Sequence, residues 1–330
     1  MKNLLNRHPV AAFLGINFLW TWTFWFAAMP FQQQPALLAA LVTIGGFGPA
    51  LAAVLTLGIK RENPLAFTRQ QVLPLLLVSA VIFGLFLLKY QAAESLYSLP
   101  VLISAGMASL VGGWVVSSAF SSLPEVRSRM STMLPSRLPL GWTLFALFFY
   151  PVMILLSWGL AALFGLEVEL PAFWGQPFLQ VLPSLVLTFS MTFMAQGGNE
   201  EPGWRGFLQP ALQNRFSPLL AAIIVSFFWS LWHLPLFLNG FYQADVISGM
   251  LTGWIFRILL SIFMAWFHNR SGGNLFLMIF LHASFNNMAT FLPISNVVLT
   301  VLWLAVVLIV VLRDKMWRKN PIETETGRGA

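Results

Sequence analysis

Apolar runs of about 20 residues recur along the whole chain and constrain its fold more than any other feature. A helix of that length spans the roughly 30 Å hydrocarbon layer of a bilayer. Only 9% of the 330 residues are charged, whereas about a quarter of a soluble domain is charged. The sequence therefore predicts an all-α fold, a polytopic bundle of about 8–10 transmembrane helices.

The hydropathy pattern also divides the chain. We expect N-terminal transmembrane helices and an interfacial linker over 1–139, transmembrane helices that carry the polar motifs over 140–313, and a polar cytoplasmic tail over 314–330. The candidate spans are 10–31, 37–59, 72–89, 99–120, 140–165, one crossing within 177–215, 217–238, 249–267, 275–292 and 295–312.

Basic residues lie in alternate turns between these spans, with Lys89 as the exception. This distribution is typical of cytoplasmic loops, so both termini are expected in the cytoplasm. The net charge of +7 is thereby explained without nucleic acid, and the bilayer is the expected partner. The basic residues of this set are Lys2, Arg7, Lys60, Arg61, Arg69, Arg127, Arg129, Arg137, Arg215, Arg270, Arg313, Lys315, Arg318 and Lys319.

The chain has no cysteine. Disulfides, thiol nucleophiles and thiolate metal sites are therefore excluded. Together with the short loops, this composition favours the plasma (inner) membrane of a bacterium as the location.

Ionisable residues within the predicted spans are concentrated in the second half of the chain. Such residues are costly in a bilayer and indicate function by default. In Gln196 to Arg205, Gly197 and Gly198 are expected to interrupt a helix, and Asn199 is expected to cap the helix that restarts after it.

Two adjacent carboxylates follow this interruption. On a restarted helix, Glu201 and Arg205 are four residues apart and are expected to pair. Glu200 then points about 100° away and is free to face a cavity. One carboxylate is thus structural and the other available for proton transfer, unless the segment is an ordinary solvated loop.

Three further polar side chains are predicted at a depth in the membrane similar to that of Glu200. They are His233, His282 and Asn286, and the last two share one helix face. Each alone is compatible with a packed histidine or an interhelical hydrogen bond. Their overlap in depth with Glu200 favours a shared site. Arg257 is another intramembrane charge, for which we expect a structural ion pair or a contact to a substrate carboxyl group.

The motifs Glu-Glu-x-x-x-Arg (200–205), Trp-x-x-x-His (229–233) and His-x-x-x-Asn (282–286) occur in this order on successive predicted helices. Over about 180–292, the chain resembles the CPBP family, the CAAX-processing or Abi intramembrane endopeptidases. The second motif of that family usually begins with Phe. Here Trp229 replaces it, which we expect to change the shape of the pocket more than its chemistry.

The resemblance implies a peptidase in which Glu200 is the general base on water and His233 helps to activate it. It implies that His282 and Asn286 stabilise the oxyanion, while Glu201 and Arg205 hold the helix in place. Glu200, His233 and His282 are also a donor set that suits Zn²⁺, with one open position. We expect no required cofactor, with a divalent metal as the alternative.

The substrate is expected to be a peptide or membrane protein, prenylated or not. Peptide maturation, membrane-protein processing and bacteriocin immunity are all compatible with the resemblance. A proton-coupled transporter that uses Glu200 and the histidines as a relay is one alternative. A non-catalytic membrane scaffold or immunity protein is another.

Overall fold

The computed structural model describes residues 7–59, 67–135, 138–167, 169–171, 173–292 and 297–319. Of the residues used above, Lys2, Lys60, Arg61, Arg137 and the 320–330 part of the predicted tail lie outside the described residues.

The described residues form helices and no strand. The helices are α1 (Pro9–Ala27), α2 (Pro35–Gly46), α3 (Gly48–Gly58), α4 (Arg69–Lys89), α5 (Leu99–Ser117), α6 (Pro124–Met130), α7 (Leu140–Leu163), α8 (Phe178–Ala195), α9 (Pro218–Trp232), α10 (Leu234–Leu238), α11 (Val246–Arg270), α12 (Leu275–Phe291) and α13 (Val297–Arg313). Between α8 and α9 lies a composite helix made of Gly198–Glu200, Glu201–Gly203, Trp204–Leu208 and Gln209–Gln213.

Eight helical segments of the described chain are long and apolar enough to cross a membrane, and α12 and α13 are shorter apolar helices of 17 residues. The prediction of a polytopic helical bundle is therefore confirmed. The crossing expected within 177–215 is a single segment, Phe178–Gln213, that combines α8 with the composite helix.

Prolines divide two of the predicted spans. The 37–59 span is two helices that meet at Phe47, just before Pro49. The 217–238 span is interrupted at His233, two residues before Pro235. A proline inside a helix lacks the N–H for the ladder and its ring crowds the carbonyl four residues earlier, so each helix ends close to it.

Tryptophan and asparagine side chains attach α1 to the junction of α9 and α10. The indole Nε1 of Trp232 donates to the Thr21 hydroxyl at 2.8 Å. Asn239 Nδ2 donates to the Trp25 carbonyl at 3.0 Å. These contacts between the two halves of the chain fix the position of His233, which lies between them in sequence.

Serine hydroxyls link the helices of the second half. Ser261 on α11 donates to the Ala222 carbonyl of α9 at 2.9 Å, and Ser284 on α12 donates to the Leu147 carbonyl of α7 at 2.8 Å. Small polar residues of this kind let transmembrane helices approach closely and hydrogen-bond across their interface. The helix that carries His282 and Asn286 is thereby held against α7, and it also packs against α8.

The predicted linker before residue 140 contains α6, whose Val126 and Met130 are buried. The predicted tail begins with Asp314, which pairs with Arg270 at the end of α11. The division of the chain at 139 and 313, and the interfacial position of the linker, stay predictions.

Candidate active site

The site begins at the turn that ends α8. Gly197 has φ +93, a backbone conformation that L side chains rarely adopt. The predicted helix interruption is therefore confirmed. The predicted cap is wrong, because the Asn199 amide accepts from Gly197 N at 3.1 Å and donates to the Ala195 carbonyl at 2.9 Å. Asn199 thus closes the turn behind it and does not cap the helix ahead.

The predicted ion pair of the composite helix is confirmed. Arg205 donates to Glu201 Oε1 at 3.2 Å, and both side chains are fully buried. The Arg205 guanidinium also lies 4.5 Å from the centre of the Trp229 ring, a cation–π arrangement. A five-residue π-helical stretch, Trp204–Leu208, contains Arg205, and such stretches often mark functional sites.

Glu200 lines a cavity, as predicted, but its carboxylate is not free of protein contacts. Trp229 Nε1 donates to Glu200 Oε2 at 2.6 Å, a charge-assisted bond that fixes the carboxylate. Trp229 therefore contributes a polar contact as well as shape, and its effect on the chemistry stays a prediction. Phenylalanine has no N–H, so Trp229 adds a polar contact that the usual family residue lacks.

His233 occupies the interruption between α9 and α10. Because its backbone N–H donates to the Ser230 carbonyl at 3.1 Å, the Trp229 carbonyl is released from the helical ladder. The Nδ1 atom of the His233 ring is hydrogen-bonded to this carbonyl oxygen at 2.6 Å. A carbonyl only accepts, so Nδ1 carries the proton and Nε2 of the neutral ring has a lone pair for the cavity.

His282 contacts Glu201 directly. Its Nδ1 lies 2.6 Å from Glu201 Oε1, the same oxygen that accepts from Arg205. The expectation that Glu201 serves only to hold its own helix is therefore too narrow, since this carboxylate also orients the His282 ring. The Nε2 atom of His282 lies against the turn at Gly197.

Gly197 is where the first and third motifs meet. A Cβ built on Gly197 would lie 3.0 Å from His282 Nε2 and would overlap Asn286 Nδ2. The His282 and Asn286 side chains therefore lie against the backbone that leads into Glu200. This turn accepts only glycine for two reasons, the positive φ and the close approach of the two side chains.

We expect Gly197→Ala to abolish most of the expected peptidase activity, because the new methyl group displaces His282 and Asn286. Gly165→Ala is the matched control, since Gly165 has φ +68 with no atom within 4 Å of its Cβ position. Both variants carry backbone strain of about 1–3 kcal/mol, seen as a lower melting temperature. Equal activity loss in the two variants at equal folded fraction would contradict this explanation.

The cavity has a volume of about 360 Å³ and brings Glu200, His233 and Asn286 to one space. Sequence reasoning missed the lining residues of the first half, such as Trp25, Val42 and Gly46. Lys89 also lines it, and its Nζ donates to Gln196 Oε1 at 3.2 Å. The sequence signal for Lys89 was its position as a basic residue in a set of turns that otherwise lack basic residues.

The metal alternative finds no support in the geometry. Among the described residues, no group of three His, Cys, Asp or Glu side chains is arranged to hold a metal ion. Glu200, His233 and His282 each carry a short hydrogen bond to protein on one side. The bonds at Nδ1 leave Nε2 of both histidines open, as in metal-bound histidines, so the divalent-metal alternative stays a prediction.

Arg257 lies near Tyr242, and the Tyr242 ring stacks on His233 at 6.0 Å between centroids. Within the described part of the chain, Arg257 forms no ion pair with a carboxylate. The expected structural ion pair is therefore wrong for these residues. Contact with a substrate carboxyl group stays a prediction.

Comparisons with known proteins agree with the position of these motifs. Residues 182–288, about a third of the chain, match the family model described as Rce1-like, type II CAAX prenyl endopeptidase. A stretch of 50 residues is 48% identical to CAAX prenyl protease 2 of Methanococcus maripaludis. That match covers 15% of this chain and 18% of the relative, so it spans under a fifth of the relative's length. Neither description mentions a metal or immunity to a bacteriocin.

Proposed function

We propose that this chain, whose residues 182–288 match the Rce1-like CAAX endopeptidase model, is an intramembrane endopeptidase. Its substrate is a membrane-associated protein or peptide, and Glu200 and His233 activate the attacking water. The observation that carries the proposal is the meeting of all three motifs at one cavity, with Glu200, His233 and Asn286 in its lining.

The proposed reaction begins with a water molecule between Glu200 and the scissile carbonyl. Glu200 removes one proton as the oxygen bonds to the carbonyl carbon, and His233 Nε2 accepts a hydrogen bond from the same water. Trp229 keeps the Glu200 carboxylate in place through its 2.6 Å hydrogen bond. Glu200 then returns the proton to the amine as the C–N bond breaks.

The negative oxygen of the tetrahedral intermediate requires donors close to Gly197. Asn286 Nδ2 is one, since an amide nitrogen carries two protons. His282 Nε2 is the other if the ring is doubly protonated, because Nδ1 already donates to Glu201. Glu201 supplies the negative charge that stabilises this imidazolium. Donors fixed before the reaction are the largest contribution in many hydrolases.

We propose that no metal takes part in this hydrolysis. The support is the arrangement of the described side chains, which lacks a three-ligand group. Glu200, His233 and the oxyanion donors supply the base, the water contact and the charge stabilisation, so every step has a protein group to perform it.

We also propose that both chain ends lie in the cytoplasm and that the protein is a multi-pass protein of the plasma membrane. The arginines at the described ends, Arg7 and Arg313, support this orientation.

Trp229→Phe is expected to lower kcat by about 10- to 100-fold, because a hydrogen bond to a charged group contributes about 1.5–3 kcal/mol. The matched control is Trp266→Phe. Trp266 Nε1 also donates to a carboxylate at 2.6 Å, that of Asp314, but far from the cavity. Kinetics of both purified variants on one peptide check the prediction. A Trp229→Phe enzyme as fast as Trp266→Phe would show that the indole N–H has no role in catalysis.

The test of the function uses the purified full-length protein in lipid vesicles with a peptide library that includes prenylated and unprenylated members. Cleavage is read by mass spectrometry of new termini, and proton flux is read with a pH-sensitive dye inside the vesicles. We expect new peptide termini and no flux. Flux without cleavage would instead support a proton-coupled transporter, and neither signal would support a non-catalytic scaffold.

A further inference from the structure

Lys89 is a cation of the cavity that the proposed hydrolysis does not use. It is the last residue of α4, and it lines the cavity together with Glu200. Among the described residues of this lining, Lys89 is the only lysine or arginine and Glu200 the only acidic residue. Arg257, the other cation near the site, is not part of the lining. Lys89 also lies outside the stretch 182–288 that matches the family model, so the match assigns it no role.

The Lys89 side chain extends towards the catalytic turn. A lysine at the end of a membrane-spanning helix usually extends its ammonium group to the water interface. Here Nζ donates to Gln196 Oε1 at 3.2 Å, and Gln196 directly precedes Gly197. One hydrogen bond, one glutamine side chain and one step between neighbouring Cα atoms place Nζ within about 12 Å of the Gly197 Cα. An extended peptide covers this distance with about four residues.

The ammonium group of Lys89 has no counter-charge within the described part of the chain, where none of the ion pairs includes it. It has three N–H donors, and its bond to Gln196 uses one of them. A cation that faces a cavity inside a membrane protein is costly and indicates function. A bound anion would supply the missing charge and accept from the remaining donors.

Three threonines of the lining do not compete with Lys89 for such an anion. The hydroxyls of Thr43, Thr192 and Thr290 each donate to a carbonyl four residues earlier, at 2.7–2.8 Å. A hydroxyl has one proton, so each presents only an acceptor oxygen to the cavity. A carboxylate also only accepts, and it therefore binds at the Lys89 ammonium rather than at these hydroxyls.

We propose that Lys89 is a specificity-determining residue that binds a carboxylate of the peptide substrate, within about four residues of the scissile bond. This carboxylate is either a free C-terminus or the side chain of an aspartate or glutamate. The ion pair holds the peptide so that its scissile carbonyl lies at Gly197 and next to Glu200. The substrate part rests on the proposed peptidase function, whereas binding of a carboxylate at Lys89 needs no cleavage.

The kinetic test uses three forms of one peptide that the purified wild type cleaves. The neutral form is amidated and has no acidic residue, the terminal form has a free C-terminus, and the aspartate form is amidated with one aspartate near the cleaved bond. We expect Lys89→Met to lower kcat/KM for the preferred carboxylate form by about 10- to 100-fold. The neutral form should stay close to its wild-type rate. The loss should appear mainly in KM, because the ion pair forms in the ground state and in the transition state.

Two further variants complete the kinetic test. Lys89→Arg keeps the positive charge and should retain most of the preference for a carboxylate. Lys315→Met is the matched control, because Lys315 is exposed and does not line the cavity. An equal loss by Lys89→Met on all three forms would reduce Lys89 to a structural support of Gln196 and overturn the proposal. A Lys89→Met enzyme that keeps the wild-type preference would overturn it as well.

Chemical labelling tests the carboxylate site without cleavage. An amine-reactive ester acylates the full-length protein in detergent micelles, and mass spectrometry follows Lys89 and Lys315 in the same chain. Peptide libraries of the neutral, terminal and aspartate forms are added separately. We expect one of the two carboxylate libraries to slow acylation of Lys89 by about tenfold, at ten times the concentration that gives half of the effect. Lys315 should react at one rate throughout.

The library that protects Lys89 identifies the source of the carboxylate. Protection by the terminal form indicates a free C-terminus, and protection by the aspartate form indicates an acidic side chain. Equal protection by the neutral library, no protection by any library, or a Lys89 that never reacts overturns the proposal. Protection of Lys89 in a protein that cleaves no peptide would support the carboxylate site and contradict the peptidase function, so the two failures are distinguishable.

Discussion

Glu200→Gln is expected to lower kcat by about 10²–10⁴-fold, which is the usual contribution of a general base. Glutamine keeps the size of the side chain, and its amide oxygen still accepts from Trp229 Nε1, as the Glu200 carboxylate does at 2.6 Å. The amide has no basic oxygen, however, so it does not take the proton of the attacking water. The measurement is kcat of the purified variant in lipid vesicles on a peptide that the wild type cleaves.

Stability separates a catalytic role of Glu200 from a structural one. The side chain is 7% exposed, and a neutral amide in so buried a place avoids the desolvation cost of a carboxylate. The melting temperature of Glu200→Gln should therefore match or exceed that of the wild type.

Glu167→Gln is the matched control, because Glu167 is an exposed glutamate remote from the motifs. It should retain the wild-type rate. A Glu200→Gln enzyme that keeps more than a tenth of that rate would falsify the general-base role.

The catalytic residues could be predicted because they are polar groups in an apolar sequence. The spans hold few ionisable side chains other than those of Glu200, His233 and His282. Ionisable residues within a bilayer are rare and usually functional. The helical spans were predictable for the complementary reason. A run of about 20 apolar residues has few folds other than a membrane-spanning helix.

Other parts of the site gave no sequence signal. Trp25 and Gly46 line the cavity, but a tryptophan or a glycine in an apolar span looks the same whether it faces lipid or substrate. The indole contact of Trp229 to Glu200 joins residues 29 apart in sequence, so local spacing does not reveal it. The Asn199 error has another source, because an asparagine side chain at a helix start can bond to backbone groups ahead of it or behind it, and the sequence does not reveal which.

Glu201→Gln is expected to reduce both stability and activity. Glu201 Oε1 accepts from Arg205 at 3.2 Å and from His282 Nδ1 at 2.6 Å. A neutral amide leaves the fully buried Arg205 guanidinium without a counter-charge, which costs about 3–5 kcal/mol for a buried pair. It also removes the charge that stabilises a doubly protonated His282, so kcat should fall by about 10²–10³-fold, as for loss of an oxyanion donor.

The double variant Glu201→Gln with Arg205→Met separates these two effects. Methionine fills part of the guanidinium volume without a charge, so the unpaired cation of the single variant is gone. Replacement of a buried ion pair by apolar side chains is often neutral for stability. The melting temperature should therefore return most of the way to that of the wild type. Activity should stay low, because His282 still lacks its carboxylate partner.

The comparison of the single and double variants decides whether Glu201 acts through His282 or only through the fold. Recovery of stability without recovery of kcat, measured on the same vesicle preparations, is the expected result and assigns Glu201 a positioning role towards His282. Recovery of both would show that the Glu201–Arg205 pair serves the fold alone. In that case the 2.6 Å contact between Glu201 and His282 has no part in stabilising the oxyanion, and Asn286 is its remaining proposed donor.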